Sequence, residues 1–509
     1  MTEYKDLNAD QLHRINTLGQ LKATGYSPRS IKKELRDNLV EKLRKKENVF
    51  EGIWGYEDTV IPDIQRAILS MHNMNLLGLR GQAKTRIARM MTHLLDEYIP
   101  VLKGSELNDD PMQPLSRHGH DMVKEMGDDA PVSWLHRSDR YTEKLATPDV
   151  SVADLVGDVD PIKAATLKLP YSDERVLHYG LIPRSHRGIF VINELPDLQA
   201  RIQVALFNIL QEGDMQIRGF KLRLPLDIQF VFTANPEDYT NRGSIVTPLK
   251  DRIDSQIITH YPMSLDISRK ITEQEANLQG EQKEAVFVFD EARDLIEQVA
   301  IEARDSEYVD PKSGVSARLT ISAFENLVAA AERRRLVNDE GNTHVRLTDF
   351  HGVVPAITGK VELVYEGEQE GAGIVAHNLI GKAIRTRFAT LFPDPDEFRK
   401  QKDKNPYREV VEWFGEGNVL DLMYDDSEET YHEKLESVPG LSNLVKEIHK
   451  KEEGNFRYFL MEFALHGLSE YSQLSKKQIL KGTQFKDLLS SMFSMDAPGL
   501  DDEDEDDDY

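Results

Sequence analysis

"MNLLGLRGQAKTRIARMM" occupies Met74–Met91. The apolar run Met74 to Leu77 reads as a short buried strand. Two glycines, Gly78 and Gly81, then interrupt the pattern. After Lys84, residues Ile87, Met90, Met91, Leu94, Leu95 and Tyr98 recur on one helical stripe. The order is strand, glycine turn, helix. A helix N-terminus presents free N–H groups and a partial positive charge, and a glycine turn lets those amides wrap an anion. Gly78-Leu-Arg-Gly81-Gln82-Ala83-Lys84-Thr85 has the spacing GxxxxGK[ST], except that Ala83 replaces the last glycine. On this reading Lys84 neutralises the β- and γ-phosphates of a nucleotide and the Thr85 hydroxyl ligates Mg²⁺. The competing reading is a chance glycine turn before an ordinary helix.

Two later strands bear on that choice. "GIFVI", Gly188 to Ile192, runs into the polar pair Asn193-Glu194. A carboxylate there is positioned to polarise an attacking water, and the residue before it belongs near the Mg²⁺ shell. Asn193 can hydrogen-bond a metal-bound water but brings no charge. "DIQFVFTAN" ends at Asn235, followed by Pro236. An amide at that tip can orient water and sense the terminal phosphate, although Asn-Pro is also a plain turn. Three polar strand tips in this order, behind a glycine loop, form a stronger signal than any one alone.

Strands alternating with helices imply an α/β fold with a mainly parallel sheet and ligands at the strands' C-terminal ends. "MQIRGFKLRL" alternates around Gly219 and reads as a hairpin. We divide the chain into an N-terminal helical segment (1–45), a nucleotide-binding core (46–265) with a polar insertion at about 103–146, a helical lid (266–390), a helical C-terminal region (391–500) and an acidic, disordered tail (501–509). The chain has 509 residues, a net charge of −25 and no cysteine, which removes disulfides and thiolate chemistry together. Eight acidic residues, Asp501 to Asp508, belong to the tail. No apolar stretch is long enough to span a bilayer and the N-terminus has no signal-peptide core, so a cytoplasmic setting without membrane attachment is expected. A strongly negative chain disfavours broad nucleic-acid binding.

The residues also carry a family resemblance. "GLRGQAKT", "TPDVSVADLVGDVD" (Thr147–Asp160), "YGLIPRSHRGIFVINELPDLQARIQVALFNILQEG" and "FTANPEDY" resemble the AAA+ ATPases of the magnesium-chelatase ATPase-subunit and MoxR group, over about residues 46–360. In that group alanine before the lysine is common. The resemblance implies an AAA+ P-loop core followed by a helical lid, with ATP and Mg²⁺ as cofactors. It implies that Arg252, in "TPLKDRIDSQI", is an arginine finger reaching a neighbouring subunit's nucleotide. It implies that Arg318, in "SARLTISAFENL", is a second sensor from the lid, and that Ile53 and Trp54, in "GIWGYED", line the adenine pocket. Gly78, Gly81, Gln82, Ala83, Lys84 and Thr85 form the loop; Thr85 and Asn193 lie on the metal side.

A finger supplied in trans requires a ring, by resemblance a hexamer, and the group's partners carry von Willebrand A-type domains. The expected activity is ATP hydrolysis that remodels or activates such a partner, as a MoxR-type chaperone or a metal-chelatase motor. The group generally has Asp where this chain has Asn193. That departure keeps a second class open, an ATP-binding scaffold with weak hydrolysis. A third, a nucleic-acid motor, rests on the basic "QIRGFKLR" alone. His118 and His120 stand two apart and His136 follows, but no third ligand at a set spacing joins the pair, and they are read as loop residues rather than a metal site.

Overall fold

The computed structural model describes residues 7–170, 173–212, 215–217, 220–222, 224–236, 244–398 and 404–488. The acidic stretch 501–509, Gly219, and the residues after Pro236 in "FTANPEDY" lie outside these. The chain divides into two compact units, Met1–Tyr261 and Pro262–Tyr509.

In the first unit, helices α1 (Ile31–Lys45) and α2 (Val60–Leu69) precede β1 (Met74–Leu77) and α3 (Lys84–Met90). Next come β2 (Tyr98–Leu102), β3 (Val132–His136), β4 (Tyr141–Leu145) and β5 (Gly188–Asn193). Helix α4 (Ala200–Glu212), the short strands β6 (Met215–Ile217) and β7 (Phe220–Leu222), then β8 (Ile228–Ala234) and β9 (Ser255–Ile258) complete the unit. Five strands form one sheet in the order β9-β1-β8-β5-β4, and every pairing in it is parallel. Strands β6 and β7 pair antiparallel as the hairpin expected there.

Period-two alternation divides the sheet's side chains between its faces. Met74, Leu76, Ile189, Val191, Val231 and Ile257 share one buried cluster with Ile31, Leu35, Ile64 and Ile87 of α1, α2 and α3. Phe190, Ile192, Phe230 and Phe232 share another with Ile202 and Leu206 of α4. The result is a three-layer α/β core.

Two expectations are corrected here. Residues 1–45 are not a segment apart. Helix α1 contributes to the sheet's core, and its Glu34 accepts both guanidinium Nη atoms of buried Arg140 at 2.7 Å each. Nor is 103–146 a simple insertion. Strand β4 is the edge of the main sheet, with Leu145 opposite Asn193, and β3 pairs with β2. An edge strand has one bonded neighbour and needs no apolar run, so "YTEKL" reads as polar loop in one dimension. Glu143 of this strand accepts from Arg89 of α3 at 2.6 and 2.9 Å, tying the edge to the helix behind the glycine loop.

The second unit is mainly helical, with α5 (Leu265–Glu275), α6 (Asp290–Arg304), α7 (Arg318–Val337), α8 (Ala372–Leu391) and α9 (Asn455–Glu470). One buried cluster runs through α6 to α9. Within the region read as helical (391–500), β10 (Leu420–Met423), β11 (Ser475–Ile479) and β12 (Gly482–Lys486) form an antiparallel sheet in the order β10-β12-β11. "SKKQI" and "GTQFK" are too polar to announce strands. Among the described residues no helix is long and apolar enough to cross a membrane.

Candidate functional site

The register brings the critical strand ends to one edge of the sheet. Leu77 lies opposite Ala234 and Ile258, and Ile192 lies opposite Phe232. The next residues along, Gly78, Asn193-Glu194, Asn235 and Thr259, therefore emerge together.

The glycine loop is wedged between its neighbours. A Cβ on Gly78 would fall 2.0 Å from Thr259 Oγ1 and 2.2 Å from Gln82 Oε1, so any side chain there would displace both. Gly81 and Ala83 both take left-handed backbone, with φ of 74° and 57°. Ala83 thus adopts the conformation a glycine normally supplies and leads directly into Lys84, the first residue of α3.

Lys84 is buried. Its ammonium donates to the carbonyl of Gly78, to that of Leu79 at 2.8 Å and to Asn235 Oδ1 at 2.8 Å. Asn235 Nδ2 in turn donates to Glu194 Oε2 at 2.8 Å. On the other side of the loop, Thr85 Oγ1 donates to Asn193 Oδ1 at 3.3 Å. The hydroxyl of Thr233 donates to the same Asn193 oxygen at 3.2 Å and accepts the N–H of Glu194 at 3.1 Å. Glu194 sits in left-handed backbone, φ 55° and ψ 49°. Such a conformation is uncommon for a residue with a Cβ and clusters at functional sites.

Lys84, Thr85, Asn193, Glu194 and Asn235 are therefore brought together as the sequence reading expects. Gln82 has a structural part: Thr259 Oγ1 donates to its Oε1 at 2.6 Å. Ile53 is buried in the cluster that contains Met74 and Ile87, while Trp54 is 40% exposed. Arg252 Nη1 donates to Pro248 O at 2.7 Å, and its guanidinium lies 5.4 Å from the Phe207 ring centroid. Its expected target is on another subunit. Arg318 opens α7 in the second unit with its side chain exposed.

Sequence reasoning missed the residues that brace the loop. The Tyr56 hydroxyl lies 3.2 Å from Gln82 O and 2.7 Å from His260 O. Burial pushes this phenol up to about 12, so it stays a donor at neutral pH. Thr59 Oγ1 meets His260 Nε2 at 2.8 Å, and the Tyr261 hydroxyl donates to Arg80 O at 3.3 Å. Tyr56 and His260 are separated by 204 residues, and no local spacing announces such a pair. Thr233 was also missed, although it lies inside the quoted strand.

The donor set fits a nucleotide with a divalent cation. The glycine turn that leads into α3 lets backbone amides approach a phosphate closely. Thr85 Oγ1 and Asn193 Oδ1 are neighbouring hard oxygens of the kind Mg²⁺ takes, directly or through water.

No family model matches the chain. The magnesium-chelatase 38 kDa subunit of Cereibacter sphaeroides is 25% identical over 199 residues, covering 38% of this chain and 52% of that protein. The chain thus spans about half the length of this curated relative. Among solved structures, a candidate ATPase from Cytophaga hutchinsonii ATCC 33406 is similar at 15% identity and a TM-score of 0.28, covering 72% of this chain and 98% of that one. A model of the complex between the BchI and BchD subunits of magnesium chelatase is similar at 17% identity and a TM-score of 0.32, covering 63% and 98%. Scores this low carry no argument by themselves. Strand order and loop geometry carry the fold, and the curated match agrees with the resemblance read from the motifs.

Proposed function

We propose that this chain, an AAA+ protein of the magnesium-chelatase and MoxR type, binds ATP with Mg²⁺ at the Lys84 loop and hydrolyses it to drive a conformational change in a partner protein. The observation that carries this reading is the chain of contacts Lys84–Asn235–Glu194. It joins a phosphate-neutralising cation to a carboxylate through the amide at the third strand tip.

The residues divide the work. The amides of Gly78 to Thr85 hold the phosphates, and Lys84 exchanges its loop carbonyls for phosphate oxygens. Thr85 and Asn193 would hold Mg²⁺, which when bound would supply positive charge beside the transferred phosphoryl group. Glu194 takes the proton of the attacking water, and Asn235 aligns that carboxylate. Arg252 acts on a neighbour's nucleotide and Arg318 serves as the second sensor, so catalysis requires a ring, by resemblance a hexamer. The partner is a protein carrying a von Willebrand A-type domain, and the setting is the cytoplasm. Ile53 and Trp54 face the adenine.

Steady-state ATPase measurements on wild type, Lys84→Ala and Glu194→Gln test this. Turnover in wild type, lost in both variants, is expected, with ATP affinity retained in Glu194→Gln. Equal background turnover in all three favours the scaffold reading. The observation behind that alternative is the uncharged Asn193.

A further inference from the structure

We infer that Thr233 is a positioning residue that sets which face of the Asn193 amide meets the metal side of the site; this rests on the proposed binding of ATP with Mg²⁺. Thr233 lies in β8, the buried strand "IQFVFTA", and is 1% exposed. A hydroxyl at such depth must be satisfied within the protein. It accepts the Glu194 N–H at 3.1 Å and donates to Asn193 Oδ1 at 3.2 Å. Among the described residues it has no other acceptor for its single proton.

The consequence follows from the chemistry of the amide. One end of an Asn side chain is an acceptor and the other carries two donors. The Thr233 proton selects the carbonyl end, and the same oxygen lies 3.3 Å from Thr85 Oγ1. The acceptor, and not the NH₂ group, is thereby turned toward the hydroxyl read as a Mg²⁺ ligand. A flipped amide would present donor protons to a cation and repel it. An aspartate needs no such selection, because both of its outer atoms are acceptors. Thr233 therefore matters to metal binding because residue 193 is Asn. The same hydroxyl fixes the backbone N–H of Glu194, so one side chain sets the neighbouring pair at the tip of β5.

The test is a double-mutant cycle read as the Mg²⁺ midpoint for binding a fluorescent, non-hydrolysable ATP analogue by the full chain. Thermal unfolding of each variant runs alongside. Thr233→Val keeps shape and removes the hydroxyl; it is expected to raise the Mg²⁺ midpoint about 10-fold or more, the lower end of the range for losing an outer-shell contact. Thr233→Ser keeps the hydroxyl and should stay within about 2-fold of wild type. In an Asn193→Asp background, Thr233→Val should move the midpoint by less than about 2-fold, because an aspartate presents an acceptor in either orientation; the lost Glu194 N–H partner is common to both halves and cancels in the comparison. If Thr233→Val does not fold, Thr233→Ala carries the same comparison. An equal shift in both backgrounds, or no shift beside Asn193, overturns the inference. A wild type that binds the analogue without responding to Mg²⁺ also overturns it. No binding of the analogue at any Mg²⁺ concentration overturns the proposed function itself.

Discussion

Each unit of the chain buries a polar cluster, and the two are built differently. In the second unit, Arg334 and Asp349 are both 1% exposed and meet in two hydrogen bonds, at 3.1 and 2.9 Å. Arg334 also donates to Thr343 Oγ1 and His344 O. Nearby, Glu462 accepts the N–H groups of Leu347 and Thr348 and the hydroxyl of Tyr431. Each carboxylate there holds a fixed set of protein donors. At the sheet edge of the first unit, Lys84 directs its protons to loop carbonyls and an amide oxygen. A phosphate can replace those neutral acceptors around the ammonium. Burial and charge alone do not mark a site. What distinguishes the loop is that its cation rests on acceptors a ligand can displace.

The largest effect that sharpens the contrast is expected at Arg252. Arg252→Ala should lower turnover of the assembled protein by about 10³ to 10⁵, as arginine fingers do, while nucleotide affinity stays unchanged. ATPase rate and equilibrium binding on one preparation check this, and a fall in affinity of equal size would assign Arg252 to its own subunit's pocket. Next comes the buried pair. Asp349→Ala leaves an uncompensated guanidinium and should cost about 3–5 kcal/mol in the second unit, read by denaturant unfolding, with ATP affinity intact. If affinity falls with stability, the two clusters are not separable.

A smaller effect concerns pH. Burial is the main cause that lifts the Glu462 carboxyl from 4.5 to about 7, against the hydrogen bonds it accepts. A carboxyl whose folded value lies above its unfolded value gives stability that is complete below 4.5 and lost as pH rises through about 7. That window corresponds to about 3 kcal/mol. Burial acts in the opposite direction on His344, whose folded value is lowered to about 3, so the total pH profile mixes the two. The difference between wild type and Glu462→Gln isolates the carboxyl: it should fall by about 3 kcal/mol between pH 4.5 and pH 7, and a constant difference would show that Glu462 titrates normally. The smallest effect is at Ala83. Relief of its left-handed backbone should let Ala83→Gly stabilise the first unit by roughly 1 kcal/mol, offset in part by glycine's greater unfolded freedom. Thermal unfolding checks the sign.

The parts of this architecture legible in the sequence are those written in local pattern. The apolar strands of β1, β5 and β8, the helix after Lys84 and the hairpin after α4 all declare themselves through periodicity or turn residues. So do Lys84, Thr85, Glu194 and Asn235, because each stands at the end of such a run. Strands β4, β11 and β12 do not, since their stability comes from neighbours and not from an apolar run. Tyr56, Thr259 and His260 were invisible for a related reason. Their partners lie far along the chain, and only the folded register makes them adjacent. Thr233 was in plain view within "FTAN", but its importance depends on Asn193, 40 residues earlier.

The bracing of the glycine loop also sets a mechanical path. Thr259 and Tyr261 hold Gln82 and Arg80 of the loop, and the second unit starts at the very next residue, Pro262. Along the backbone from Pro262, Tyr261 and Thr259 and their contacts to the glycine loop come before the strand β9. A load carried along the backbone into Tyr261 is thus handed to the glycine loop through two side-chain hydrogen bonds.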